Sequence, residues 1–449
     1  MVKALELLPR LIAFRCQIHA SFSLRRDVLF EAIEALLLSP RIGSAVRITL
    51  LPIFRRRFPS LYEALCEGAT GREELRKVLA AAEPEDAETV GGYRVYPVDT
   101  TIHPRPDAPT LQDRAKVYST VQGKPVLGHQ FSWLGRVIAT GQSWFAPREI
   151  DRVPTDSTPC AIATTQVKHL AAEATAAAPI AIVGDRHYGV VPFLRAFVNL
   201  PFVYPLVRLA TNRVLFADPP PKTGKRGHPA WHGAKFCVSA PPPPDRCIEA
   251  SVLGQRTRIS LWYRLHFRTL RELVGVVLRV ELLDAEGKPR YKDPWWLFRG
   301  GPHHVAPEHL VQMYCMRTTI EHFFRFLKQE LGLLAAYTTD LKAQVNWTWV
   351  VALAYWQLLL ARHLVAPAHH PWDPAARRDP SRVLTPGQVL RAWASFRPGL
   401  PTPATPPRPG GKSAGRQHGF QPKPRPRHPV IRKTKNDQAA EAQNHPDQG

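Results

Sequence analysis

Four consecutive apolar residues, Ile180-Ala181-Ile182-Val183, closed by Gly184-Asp185, restrict the fold more than any other stretch of this chain. A strand that is apolar at every position has to be covered on both faces, as a parallel strand is inside an α/β sheet. Its surroundings agree. Residues 167–178 are alanine-rich and helical in character, and residues 188–197 form a second helical stretch. Upstream, Tyr93-Arg94-Val95-Tyr96-Pro97-Val98 reads as a strand ending at Asp99, and residues 126–133 read as another. Strand, helix, buried strand, helix predicts an α/β core.

Around that core the texture of the chain changes four times. Residues 1–85 are helical by periodicity, with Arg25-Arg26 and Arg55-Arg56-Arg57 making a basic module suited to binding DNA. Residues 86–210 hold the first part of the α/β core. Residues 211–300, with Pro219-Pro220-Pro221 and strand-like stretches at 258–267 and 274–283, read as an inserted β-rich subdomain. Residues 301–366 carry two helices, at 306–333 and 340–365, that complete the core. From 367 to 449 the chain is proline-rich and basic, and its composition predicts a largely disordered tail.

Charge narrows the partners. Lys and Arg number 60 against 37 Asp and Glu, a net +23, and such an excess calls for a polyanion. A membrane surface is the weaker choice, because the apolar block at 347–360 is shorter than the roughly 20 residues a span needs. The six cysteines form no CxxC pair, which argues against a zinc site or disulfide framework and predicts a cytoplasmic protein. His303-His304 and His369-His370 lack a third ligand at zinc spacing and read as loop residues.

The chemistry is expected on the helix at 306–333. At about 100° per residue, Tyr314, Arg317, Glu321 and Lys328 project within roughly 60° of one another. Met316, Ile320, Phe323, Phe324, Leu327 and Leu331 fill the opposite side. A carboxylate between cations suits an acid that holds a metal while its neighbours grip phosphates. A solvated stripe, with Arg317–Glu321 and Glu321–Arg325 ion pairs, accounts for the same residues without chemistry.

Tyr, two residues, Arg, three residues, Glu, six residues, Lys resembles the signature of a group of DDE-type insertion-sequence transposases, insertion-sequence family four. The resemblance spans about residues 90–365 and implies a ribonuclease-H-like core interrupted by a β-rich insertion. It implies Glu321 as the third catalytic acid, with Tyr314, Arg317 and Lys328 contacting DNA. The second acid is then Asp185, in Gly184-Asp185-Arg186-His187-Tyr188, and the first is Asp99, in Val98-Asp99-Thr100-Thr101. All three acids are expected as metal ligands, for two Mg²⁺ ions with Mn²⁺ as substitute. Arg186 and Trp295 are further expected DNA contacts, and Trp295-Trp296 offer stacking for an extruded base. An N-cap role for Asp185, and an Asx-turn at Asp99 or its rival Asp107, are the structural alternatives. The implied partners are double-stranded DNA and a second copy of the chain in a nucleoid-associated complex. The implied reaction is cleavage at element ends followed by strand transfer. A nuclease of the same fold without strand transfer, and an inactive DNA-binding remnant, are the rival readings.

Overall fold

The computed structural model describes residues 2–119, 123–221, 230–302, 305–366, 372, 383–408, 415, 417–421 and 423–431. Both histidine pairs singled out above lie outside the described residues.

Twelve strands form one mixed sheet. Inside it, near one end of the strand order, lies β1 (Arg94–Pro104), after which come β2 (Ala115–Ser119), β3 (Lys124–Val137) and β4 (Phe145–Val153). These pair antiparallel to one side of β1, β3 directly on it and β4 and β2 on β3. Helix α5 (Pro159–Ala171), the fifth in chain order, then crosses to the other side. There β5 (Ile180–Gly184) runs parallel to β1, and β6 (Val203–Arg208) runs parallel to β5. This arrangement is consistent with the expected ribonuclease-H-like core. The chain builds to both sides of β1, and open α/β sheets place ligands at the carboxyl ends of strands at such a switch point.

Alternation assigns the two faces. Tyr96, Val98, Ile180 and Ile182 pack with Ala163 and Val167 of α5 on one side. Val95, Ala181 and Val183 face the other, with Phe131 and Trp133 of β3. The all-apolar run is therefore covered on both faces, as predicted.

Several expectations shift. Helix α5 begins at Pro159 because Thr158 caps it, its side chain accepting from the Ala161 amide at 3.1 Å. The helix ends at Ala171, so the alanine-rich residues after it form turns and a strand approach. The stretch at 188–197 gives only a helical turn, Val191–Leu194, and a 3-10 turn. Strand β1 continues five residues past Asp99, so the acid lies inside the strand.

The insertion comprises β7 (Val214–Phe216), β8 (Lys235–Cys237), β9 (Arg246–Val252), β10 (Gln255–Phe267), β11 (Leu270–Leu282) and β12 (Trp295–Gly300). This stretch is β-rich and is not set apart from the rest of the sheet. Strand β12 pairs antiparallel with β6, placing Leu297 opposite Arg208, and carries the same sheet onward.

Helices α1 (Val2–Ser21), α2 (Arg26–Leu38), α3 (Phe58–Glu67) and α4 (Arg72–Ala82) make the amino-terminal layer. The carboxyl-terminal part supplies α6 (Pro307–Met316), α7 (Thr318–Gln329), α8 (Leu341–Ala361) and α9 (Pro386–Phe396). Among the described residues no helix is long and apolar enough to cross a membrane. Residues 386–396 fall where a disordered tail was expected. They fold because Val389, Leu390 and Trp393 share one helical face and are buried.

Candidate active site

Asp99 and Asp185 are brought level by strand register. Pro97 pairs with Val183 across the parallel β1–β5 ladder, and each acid lies two residues further along, Asp99 within β1 and Asp185 just past the end of β5. A step of two returns a side chain to the same face, so Asp99 points as Pro97 does, toward the face that carries Val183. That face is covered by Ile320, Phe323 and Phe324 of α7. Trp133 on β3 fixes the helix, with ring centroids 5.4 Å from Phe323 and 5.8 Å from Phe324.

The single helix expected over 306–333 is two, α6 and α7, meeting at Arg317. Its backbone stays helical (φ −54°, ψ −34°), and the amides of Arg317 and Ile320 reach back three residues rather than four. Tyr314, Arg317, Glu321 and Lys328 nevertheless remain on one side.

Arg317 links the acids. Its Nη1 donates to Asp99 Oδ2 at 3.2 Å and its Nη2 to Glu321 Oε1 at 2.6 Å. Asp99 Oδ1 accepts from the Thr100 amide at 2.7 Å. Burial pushes the Asp99 carboxyl up to about 7, and the negative Asp185 adds to this while Arg317 opposes it. Asp185 Oδ1 accepts the His187 amide at 2.8 Å, an Asx-turn. Its turn is tight because Gly184 has no side chain: a Cβ there would stand 2.8 Å from Tyr188 Cβ.

Lys328 is partly buried, and burial lowers its pKa while Asp99 opposes the shift. Burial raises the Tyr314 phenol. Trp295 lies against Tyr314, with centroids 5.7 Å apart. Trp296 points to the opposite face, beside Trp262 at 5.5 Å, so only one of the adjacent tryptophans faces this site. Arg186 is exposed. The Arg317–Glu321 ion pair foreseen as the solvated-stripe alternative is present, but Arg317 also reaches across to β1. Sequence reasoning did not single out Arg208, whose charge acts on Tyr314. Its position at the carboxyl end of β6, beside the second-acid strand, was the available signal.

Three carboxylates are hard oxygen donors, the set that divalent magnesium or manganese prefers. Burial, with the negative Asp185 beside it, holds the Asp99 carboxyl well above its ordinary range, a shift that a bound cation would relieve. By both observations the residues fit such an ion. In the present conformation Glu321 is turned to Arg317, and among the described residues no three His, Cys, Asp or Glu side chains close around one point.

The family model for DDE superfamily endonuclease matches residues 17–268. The chain belongs to this family. The match takes in Asp99 and Asp185 and stops before α6 and α7. DDE superfamily enzymes act on DNA and generally use divalent metal ions. No curated protein matches the chain.

Proposed function

We propose that this DDE superfamily member is a DNA transposase of the insertion-sequence type, with Asp99, Asp185 and Glu321 as its catalytic acids. The observation that carries the reading is the approach of the α6–α7 joint to Asp99 inside β1, beside the carboxyl end of β5. Residues 218 positions apart, Arg317 and Asp99, meet there in an ion pair that also includes Glu321. A merely solvated helix stripe has no reason to reach a partly buried acid on an interior strand.

In this reading the three carboxylates hold two Mg²⁺ ions, with Mn²⁺ able to replace them. Bound there, such ions supply an activated oxygen nucleophile and stabilise the leaving oxygen. The chain's own residues orient the DNA. Lys328 and Arg317 pair with backbone phosphates, Tyr314 supplies a hydroxyl beside them, and Arg186 extends the positive rim. Trp295, held by Tyr314, offers a ring for stacking a base. The net charge of +23 supports binding of element ends and target. A homodimer across two ends and nucleoid association in the cytoplasm complete the proposal.

The test uses precleaved duplexes carrying the genomic sequences that flank the reading frame, incubated with the full chain and Mg²⁺. Strand-transfer products are expected, and Asp185→Asn or Glu321→Gln should reduce them at least about a hundredfold, the scale of losing a transition-state charge stabiliser. Cleavage without joined products identifies a nuclease instead. Undiminished activity in both variants removes these acids from the mechanism.

A further inference from the structure

Arg317 serves two different carboxylates with its two terminal nitrogens, one on Asp99 and one on Glu321. Neither acid receives the parallel pair of bonds that makes an arginine–carboxylate fork strong, and the Arg317 Nε is buried with no partner. The guanidinium thus does what a shared ion does: it sets one positive charge between an oxygen of the first acid and an oxygen of the third. A divalent ion bridging the same acids would meet that charge in a partly buried setting, where repulsion is poorly screened.

The geometry lets the two exchange. Arg317 sits at the joint of α6 and α7, and Glu321 follows one turn later. A change of rotamer at Arg317 therefore releases Glu321 without moving either helix. The Glu321 side chain is 51% exposed, so it has room to turn.

Resting on the reading of the three acids as metal ligands, we infer that Arg317 is a tethered cation that holds Glu321 off the metal site. The third acid joins a divalent ion only once that ion has displaced the guanidinium. Arg317 is then a positioning residue whose two partnerships set the metal affinity of the free protein. Once released, its guanidinium is available to a phosphate.

The experiment is a titration of Mn²⁺ alone into the full chain, following free Mn²⁺ by electron paramagnetic resonance. The proteins compared are wild type, Arg317→Gln, Glu321→Gln, the double variant and Lys328→Gln. Arg317→Met is the alternative should Arg317→Gln lose its native near-ultraviolet circular dichroism. Arg317→Gln is expected to tighten binding about tenfold, within the usual span of coupling between two ligands. That gain should vanish in the Glu321→Gln background, because it arises from freeing Glu321. Removing a cation at Lys328 tests bulk charge, since Lys328 also acts on Asp99; its gain should be smaller and indifferent to Glu321→Gln. No gain from Arg317→Gln, a gain no larger than that of Lys328→Gln, or one that survives Glu321→Gln overturns the inference. If Asp99→Asn and Asp185→Asn also leave Mn²⁺ binding unchanged, the catalytic reading fails with it; if those two weaken binding, only the role of Arg317 is lost.

Discussion

Glu83 and Asp99 show how surroundings move two carboxyl groups in opposite directions. Glu83 accepts from Arg148 at 2.7 Å, from Arg136 at 3.0 Å and from the Tyr96 hydroxyl at 2.8 Å. Burial acts to raise its pKa, but the two guanidinium groups outweigh it and hold the carboxyl below the usual glutamate range. Asp99 is partly buried, its side chain 20% exposed against 8% for Glu83, yet burial and two other acids outweigh the single arginine that it shares and push its carboxyl up to about 7. Glu83 is satisfied within the protein; Asp99 gains from a cation. Glu83→Gln removes a charge that two buried arginines depend on, and a loss of about 3–5 kcal/mol is expected near neutral pH. The sign of its pH dependence follows from the depressed folded pKa. The Glu83 contribution is complete above the ordinary glutamate value and is lost as pH falls through the lower folded value. Urea denaturation of both proteins across the acid range should therefore show the gap closing as pH drops. A gap that is constant with pH would mean that the cost comes from packing alone.

Helix α9 makes the corresponding point for elements. Thr385 and Gln388 form a capping box, the Thr385 side chain bonding the Gln388 amide and the Gln388 side chain the Thr385 amide. Trp393 is fully buried against the helical layer. Beyond it, Arg397 reaches Glu34 at 2.9 Å and the Thr402 hydroxyl reaches the same acid at 3.0 Å. Trp393→Ala is expected to cost about 3–5 kcal/mol, the range for truncating a buried aromatic. Thermal or urea denaturation measures it, and a negligible change would return this segment to the disordered tail that its composition predicted. Proline content concealed the helix: the periodic residues are few, and the prolines flank the segment without interrupting it. Polar inward residues concealed the true length of β1 in a similar way. Thr101 and His103 are buried on the Asp99 face, so alternation past Asp99 carried no apolar signal. What was legible was what local pattern encodes: the doubly covered strand, the amphipathic α7 and the residues along its stripe. Register was not legible. That Asp99 and Asp185 stand level follows from the pairing of Pro97 with Val183, a long-range contact that neither segment states alone. Nor does any spacing reveal that Arg317 reaches Asp99.

At the scale of the whole molecule, α8 decides how many independent parts there are. Every residue from 347 to 361 is buried, which a surface helix with one apolar stripe never shows. The amino-terminal helices supply one part of its cover. Trp356 meets Phe14 with centroids 5.8 Å apart, and Asn346 donates to the carbonyls of Leu65 and Gly68 at 2.8 and 2.9 Å. The sheet and α7 supply another. Tyr355 packs on Phe323 of α7 at 4.8 Å, and the Trp356 indole donates to the Pro147 carbonyl of β4 at 2.8 Å. Sequence texture suggested a separate DNA-binding module over residues 1–85, but its apolar residues belong to the same continuous core as β1 and α7. A module whose core partner lies some 280 residues away cannot bury its apolar face alone. Residues 1–85 expressed by themselves should accordingly show no cooperative thermal transition, whereas the full chain should unfold in one step by circular dichroism and by intrinsic tryptophan fluorescence alike. Two resolved transitions, or a cooperatively folded 1–85 fragment, would show that the layers are autonomous. A single transition would mean that mutations in the amino-terminal helices alter the seating of α7, and with it the distance of Glu321 from β1, through one shared helix.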